Sequence, residues 1–248
     1  MPEPTPQRLV AKVEEFADEL GALLSGVFPG QHPDFLARVT EGESTLVIIE
    51  QDPPTGIELT AAEEPLLRLT ASYRCSWDHA GEFLAVLEST FAVFTSQSDE
   101  PLFRYDFIES DGKVPGAHLN VHGHRDEMVF ALTSAGRRLR GRARSATVSR
   151  GRVPRLASFH FPLGGPRFRP SLEDVVEIVV REFGLDTNPG WERAVQTGRS
   201  AWREKQLRSA VRDDPESAAD TLTSLGYTVS WPDGQERRPR RDERILAL

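Results

Sequence analysis

LLRLTASYRCSW, residues 66–77, decides the fold class. Leu67, Leu69, Ala71, Tyr73, Cys75 and Trp77 alternate with Arg68, Thr70, Ser72, Arg74 and Ser76. Successive side chains of a strand point to opposite faces, so this period of two describes an antiparallel strand with one face on a core and the other polar. Downstream, the turn DHAGE leads into FLAVLESTFAVF, SQSDEP into LFRYDFIES, and DGKVPG into AHLNVHGH. Apolar runs separated by turn residues at this spacing predict a four-strand antiparallel meander. Upstream, STLVIIEQD stops at Pro-Pro-Thr-Gly and reads as a further buried strand. Gln7 to Leu24 places Leu9, Val10, Val13, Phe16, Ala17, Leu20 and Leu24 at helical spacing, an amphipathic helix.

Beyond the meander, SFHF predicts a short strand followed by a Gly-Gly turn. A helix starts after Ser171, with Asp174 at its third position and Gly184 as its stop. A second helix is expected over Pro189–Val211, interrupted by Gly198. A third follows in DDPESAADTLTSLG, capped by Asp213 or Asp214 with Pro215 in its first turn. GYTVSW reads as a last strand. The expected class is α+β: a curved antiparallel β-meander packed by an N-terminal helix and a helix after the sheet, with a helical C-terminal extension. The expected division is an α+β domain over 1–186 with a basic insertion at about 133–156, a helical extension with a short terminal strand over 187–231, and a disordered tail over 232–248.

The 248 residues suffice for a buried core, and no apolar run reaches the roughly 18 residues of a membrane span. The opening MPEPTPQRLV lacks a basic region followed by an apolar one, so a cytoplasmic location without membrane attachment is expected. Cys75 is the only cysteine, which excludes an intramolecular disulfide and a zinc ribbon. On the apolar side of its strand it reads as a small buried residue. GxSxG, Walker and dinucleotide fingerprints are missing, so serine-hydrolase, P-loop and Rossmann readings have no support.

The net charge of −8 is unevenly spread. Met128 to Leu172 contains no Asp or Glu and ten arginines, of which Arg137, Arg138, Arg140, Arg142, Arg144, Arg150, Arg152 and Arg155 are the candidate nucleic-acid-binding residues. A block of one sign reads as a surface for phosphates or for an acidic protein, or as a solvated hairpin loop. FPLGGPRFRP enters the helix after Ser171 through two further arginines, but Glu173 and Asp174 in its first turn oppose an anion there. An ordinary loop-to-helix entry is favoured.

His118, His122 and His124 share the parity of Asn120 and Asp126, opposite Ala117, Leu119 and Val121. In FRYDF, Arg104 and Asp106 lie on the polar side by the same rule. One outward-facing sheet surface is therefore expected to collect imidazoles, a guanidinium and a carboxylate. Three readings are open. The row is a solvated polar face, an acid–base site for phosphodiester cleavage, or part of a divalent-metal site using His122, His124 and Asp126. In the acid–base reading, His122 and His124 act as acid and base, Arg104 stabilises charge, His118 and Asp106 are further candidate site residues, and no cofactor is needed. His160, between Phe159 and Phe161, points towards the row or into water.

HGHRDE partly resembles the HxHxDH signature of metallo-β-lactamase-like hydrolases, departing at Glu127, where that family has histidine. DPPTGI, CSWDHAG, AHLNVHGHRD and HFPLGGPRFRPSLEDV make the whole chain resemble a family of uncharacterised bacterial proteins. Over residues 66–183, the order LFRYD, histidine-rich strand, RPSLEDVVEIV is similar to TumE-like toxin components of toxin–antitoxin modules. Phe107 stands where those have Asn, and their His-His pair is missing. That resemblance implies an RNase-like activity, an antitoxin-like partner and site residues Arg104, Asp106, His118, His122 and His124. The leading expectation is a nuclease-like protein acting on RNA, without metal. The alternatives are a non-enzymatic binding module for nucleic acid or an acidic partner, and a metal-dependent hydrolase.

Overall fold

The computed structural model describes residues 6–40, 46–77, 84–109, 116–122, 146–153, 155, 161–163, 165–232, 234 and 237–246. Helix α1 (Pro6–Val27) precedes strands β1 (Asp34–Thr40), β2 (Leu46–Asp52), β3 (Ile57–Ala61), β4 (Glu64–Trp77), β5 (Leu84–Thr95), β6 (Pro101–Ile108), β7 (Ala117–Val121) and β8 (Phe161–Pro162). The helices α2 (Gly165–Phe168), α3 (Leu172–Phe183), α4 (Trp191–Asp213), α5 (Pro215–Ser224) and α6 (Asp242–Ile245) follow. The strands form one open antiparallel sheet ordered β1-β2-β4-β5-β6-β7-β8, with β3 also paired to β4. The expected meander is β4 to β7, and the α+β class holds.

The alternation in β4 sets the core. Leu67, Leu69, Ala71, Tyr73 and Cys75 are all buried, and the register places Phe91 beside Ala71 and Val93 beside Leu69. Val47 and Ile49 of β2 extend this face on one side, and Phe103 and Tyr105 of β6 on the other. Leu20, Leu23, Leu24 and Val27 of α1 and Leu172, Val175, Val176 and Val179 of α3 close it. Phe16, Tyr73 and Phe91 meet edge to face, at 5.0 and 5.4 Å between ring centroids, and tie α1 to the sheet. Helix α4 lies across both α1 and α3. Its approach to α1 is close: a Cβ added at Gly26 would sit 2.7 Å from the Cβ of Ala194.

The ends of α3 follow the sequence reading. The backbone N–H of Ser171 donates to Asp174 Oδ2 at 3.0 Å, and Gly184 takes the left-handed conformation with its N–H on Val180 O. Asp214 caps α5 by accepting from Ser217 N. The Gly-Gly turn expected before α3 lies partly outside the described residues, and Gly165 starts the single helical turn α2. GYTVSW is not a strand. Residues 227–232 carry no secondary structure, and the N–H of Tyr227 donates to Leu222 O at the end of α5 instead of entering a ladder. The tail contains α6, where Arg241 N donates to Asp213 O and Arg244 pairs with Glu109. No helix among the described residues is long and apolar enough to cross a membrane.

Candidate functional site

The register agrees with the expected parity for Arg104, Asp106, His118 and Asn120. Asp106 of β6 stands opposite His118 of β7, Arg104 opposite Asn120, and Thr90 of β5 opposite Asp106. All lie on the face opposite the helices. Asp106 gathers the others: its Oδ2 accepts from Arg104 Nε at 2.7 Å and from Asn120 Nδ2 at 2.8 Å, and its Oδ1 from Thr90 Oγ1 at 3.0 Å. His118 Nε2 is 3.6 Å from the same Oδ2.

The reading of a solvated polar face does not hold at His118, Asn120 and Asp106. His118, Asn120 and Asp106 are 2%, 1% and 7% exposed, and Ala92 beside them is buried too. Alternation places a side chain on a face but says nothing about what lies over that face. Arg104 is the exception, with 41% of its side chain exposed. Asn120 Oδ1 is buried without a hydrogen-bond partner, a feature that costs about 1–3 kcal/mol in a folded protein.

His122 follows β7 and donates its backbone N–H to Leu102 O; its Nδ1 lies 3.4 Å from Glu100 Oε1. Four residues of strand separate His118 from His122, about 13 Å at 3.3 Å per residue. His124, Asp126 and His160 lie outside the described residues, and so do Arg137, Arg138, Arg140, Arg142 and Arg144. No group of three or more His, Cys, Asp or Glu among the described residues could hold a metal ion. Of the basic segment, residues 146–149 form one helical turn, and Arg150, Arg152 and Arg155 are exposed.

Cys75 is buried, and desolvation pushes its thiol up to about 12, the opposite of an activated nucleophile. The two arginines before α3 serve the fold and the interior. Arg167 Nε donates to buried Asp213 at 2.6 Å, while Arg169, 8% exposed, lies over the rings of Phe107 and Trp202. The loop-to-helix reading of FPLGGPRFRP did not foresee that Arg169 is buried. The signal available was its place one turn before a firm helix, beside a proline.

No protein-family model, curated protein or solved structure matches the chain.

Proposed function

We propose that the protein binds RNA or another polyanion through its acid-free basic segment, without cleaving it. The observation that supports this reading is the exposure of the segment's described arginines in a stretch that has no Asp or Glu of its own. Most described arginines outside the segment have a carboxylate partner, among them Arg38 with Glu50, Arg74 with Glu88, Arg104 with Asp106, and Arg199 with Asp174 and Glu177. Arg150 and Arg152 are exposed, and no carboxylate among the described residues pairs with either. Phosphate is the anion such a surface takes, by displacing counterions condensed on the nucleic acid. The Asp106 network fits a binding role as well. Three donors hold its carboxylate, so it fixes Arg104 at the edge of the sheet face.

The second reading is RNase-type cleavage. It draws on the Asp106–His118 approach, on Arg104 beside it, and on the likeness of residues 66–183 to TumE-like toxins. In that reading His122 and His124 carry the proton transfers, and an antitoxin-like protein is the partner.

Fluorescence anisotropy with labelled single-stranded RNA, followed by gel analysis of the same samples, separates these readings. The binding reading expects saturable binding, weakened by Arg150→Ala with Arg152→Ala, and intact RNA. Cut RNA, with cutting abolished in His122→Ala and His124→Ala while binding persists, would establish the second reading. No binding of RNA or DNA at low salt would contradict the polyanion assignment and turn the search to an acidic protein.

A further inference from the structure

The C-terminal stretch RRPRRDER, residues 237–244, sets Arg237, Arg238, Arg240, Arg241 and Arg244 against Asp242 and Glu243. A basic run of this length is the pattern of a nucleic-acid-binding patch. Residues 237–241 carry no secondary structure, and α6 follows them. Charge is what docks this arm on the fold. Arg240 lies 3.7 Å from Asp214 Oδ2 and 2.9 Å from Asp242 Oδ1, Arg241 Nη1 lies 3.9 Å from Asp213 Oδ1, and Arg244 pairs with Glu109 just beyond β6. The backbone N–H of Arg241 adds a bond to Asp213 O at 2.8 Å. Apolar burial adds little, since no residue of α6 is buried and Ile245 and Leu246 are 41% and 73% exposed. A segment held by half-exposed ion pairs, with few apolar contacts, belongs to the low-stability end of a fold.

The internal carboxylates do not use the whole arm. Asp213 is committed to Arg167, whose Nε donates to its Oδ2 at 2.6 Å, and its Oδ1 is buried without a hydrogen bond although Arg241 approaches it. Arg237 and Arg238 are exposed, and no carboxylate among the described residues pairs with either. A guanidinium meets a phosphate through the same charge-assisted N–H bonds that it gives to a carboxylate. Exchange of one for the other gains what the internal pair lacks, because a nucleic acid releases condensed counterions when its phosphates are neutralised.

We propose that residues 237–244 are a second RNA-binding arm, in which Arg237 and Arg238 take the first phosphates of a single strand and Arg240 and Arg244 then exchange Asp214 and Glu109 for further ones. The arm rests on the polyanion-binding reading and adds to it a second site about 80 residues beyond the basic segment.

The test is fluorescence anisotropy of the full chain with a labelled uridine 20-mer over a range of salt. Arg237→Ala with Arg238→Ala should weaken binding by about tenfold at 0.1 M salt and flatten the salt slope by about 0.7 for each phosphate lost. The melting temperature should stay unchanged, since both side chains are exposed. Asp214→Asn with Glu109→Gln should tighten binding by about threefold or more over a control, Glu58→Gln with Glu64→Gln, that carries the same charge change on exposed residues of β3 and β4. Asn keeps the cap of α5, so the first of these changes removes the charge without the cap. Unchanged affinity and slope in the Arg237 and Arg238 variant, or a charge-removal pair no tighter than its control, would overturn the arm, and loss of binding in Arg150→Ala with Arg152→Ala would then leave the basic-segment reading standing. Binding weakened by the arm variant and untouched by Arg150→Ala with Arg152→Ala would support the arm and contradict the basic segment. No RNA binding at low salt would overturn both.

Discussion

His118 shows how one residue can be read correctly for direction and wrongly for setting. The alternation in AHLNV puts it opposite Ala117 and Leu119, and the register with Asp106 agrees. At 2% exposure it is nonetheless an interior residue. His118→Ala should therefore lower stability by about 1–3 kcal/mol in urea unfolding, as removal of a buried polar partner does, where a solvated imidazole would change it by no more than about 0.5 kcal/mol. Glu173 yields a second prediction. Desolvation raises its pKa, so the folded state holds the proton more tightly than the unfolded chain. Its contribution to stability is full below the unfolded carboxyl value of about 4.3 and is lost as pH rises through the higher folded value. Glu173→Gln should melt higher than the parent at pH 7, and the difference should shrink towards pH 4. A difference independent of pH would show that ionisation of Glu173 is not its source.

Among the elements, α3 and the β4–β7 meander were legible because their signals are local. Ser171, Asp174 and Gly184 mark the ends of one, and alternation marks the other. β1 and β3 escaped notice because DFLARVT and IELTA are short and depend on pairing with β2 and β4. GYTVSW failed for the complementary reason. Its alternation is strand-like, but a strand exists only within a ladder, and the N–H of Tyr227 is used by α5. Gly198, which lowered the helical signal of α4, has its explanation in packing. A Cβ there would stand 2.5 Å from Glu173 Oε1. Gly198→Ala should therefore destabilise the protein despite alanine's helix preference of about 1 kcal/mol, and Glu173→Ala in the same chain should recover much of that stability in a double-mutant cycle. An alanine that stabilises on its own would contradict this packing. The β3–β4 turn depends on Asp186, which accepts from Thr60 Oγ1 and from the N–H groups of Ala62 and Glu63, both at positive φ. These bonds hold its carboxyl below the usual range, so the turn's anchoring is complete above the unfolded aspartate value and is lost as pH falls through the lower folded value.

The whole molecule divides its chemistry by layer. Helices and one sheet face enclose the core with the buried Arg169, the Asp106 network occupies the other face, and the acid-free segment holds ten arginines and no Asp or Glu. That last asymmetry was visible in the sequence alone, because it is a matter of composition. The burial of Arg169 was not, since its partners Phe107 and Trp202 are far from it in the chain until the fold brings them together. The proposed role of the basic segment is to meet phosphates. Its most direct test is the salt dependence of RNA affinity. With about five arginines on phosphates, log affinity should fall against log salt with a slope of about −3.5 on single strands, and Arg150→Ala with Arg152→Ala should flatten it by about 0.7 for each phosphate no longer neutralised. A slope near zero, or one that the two substitutions leave unchanged, would contradict the claim.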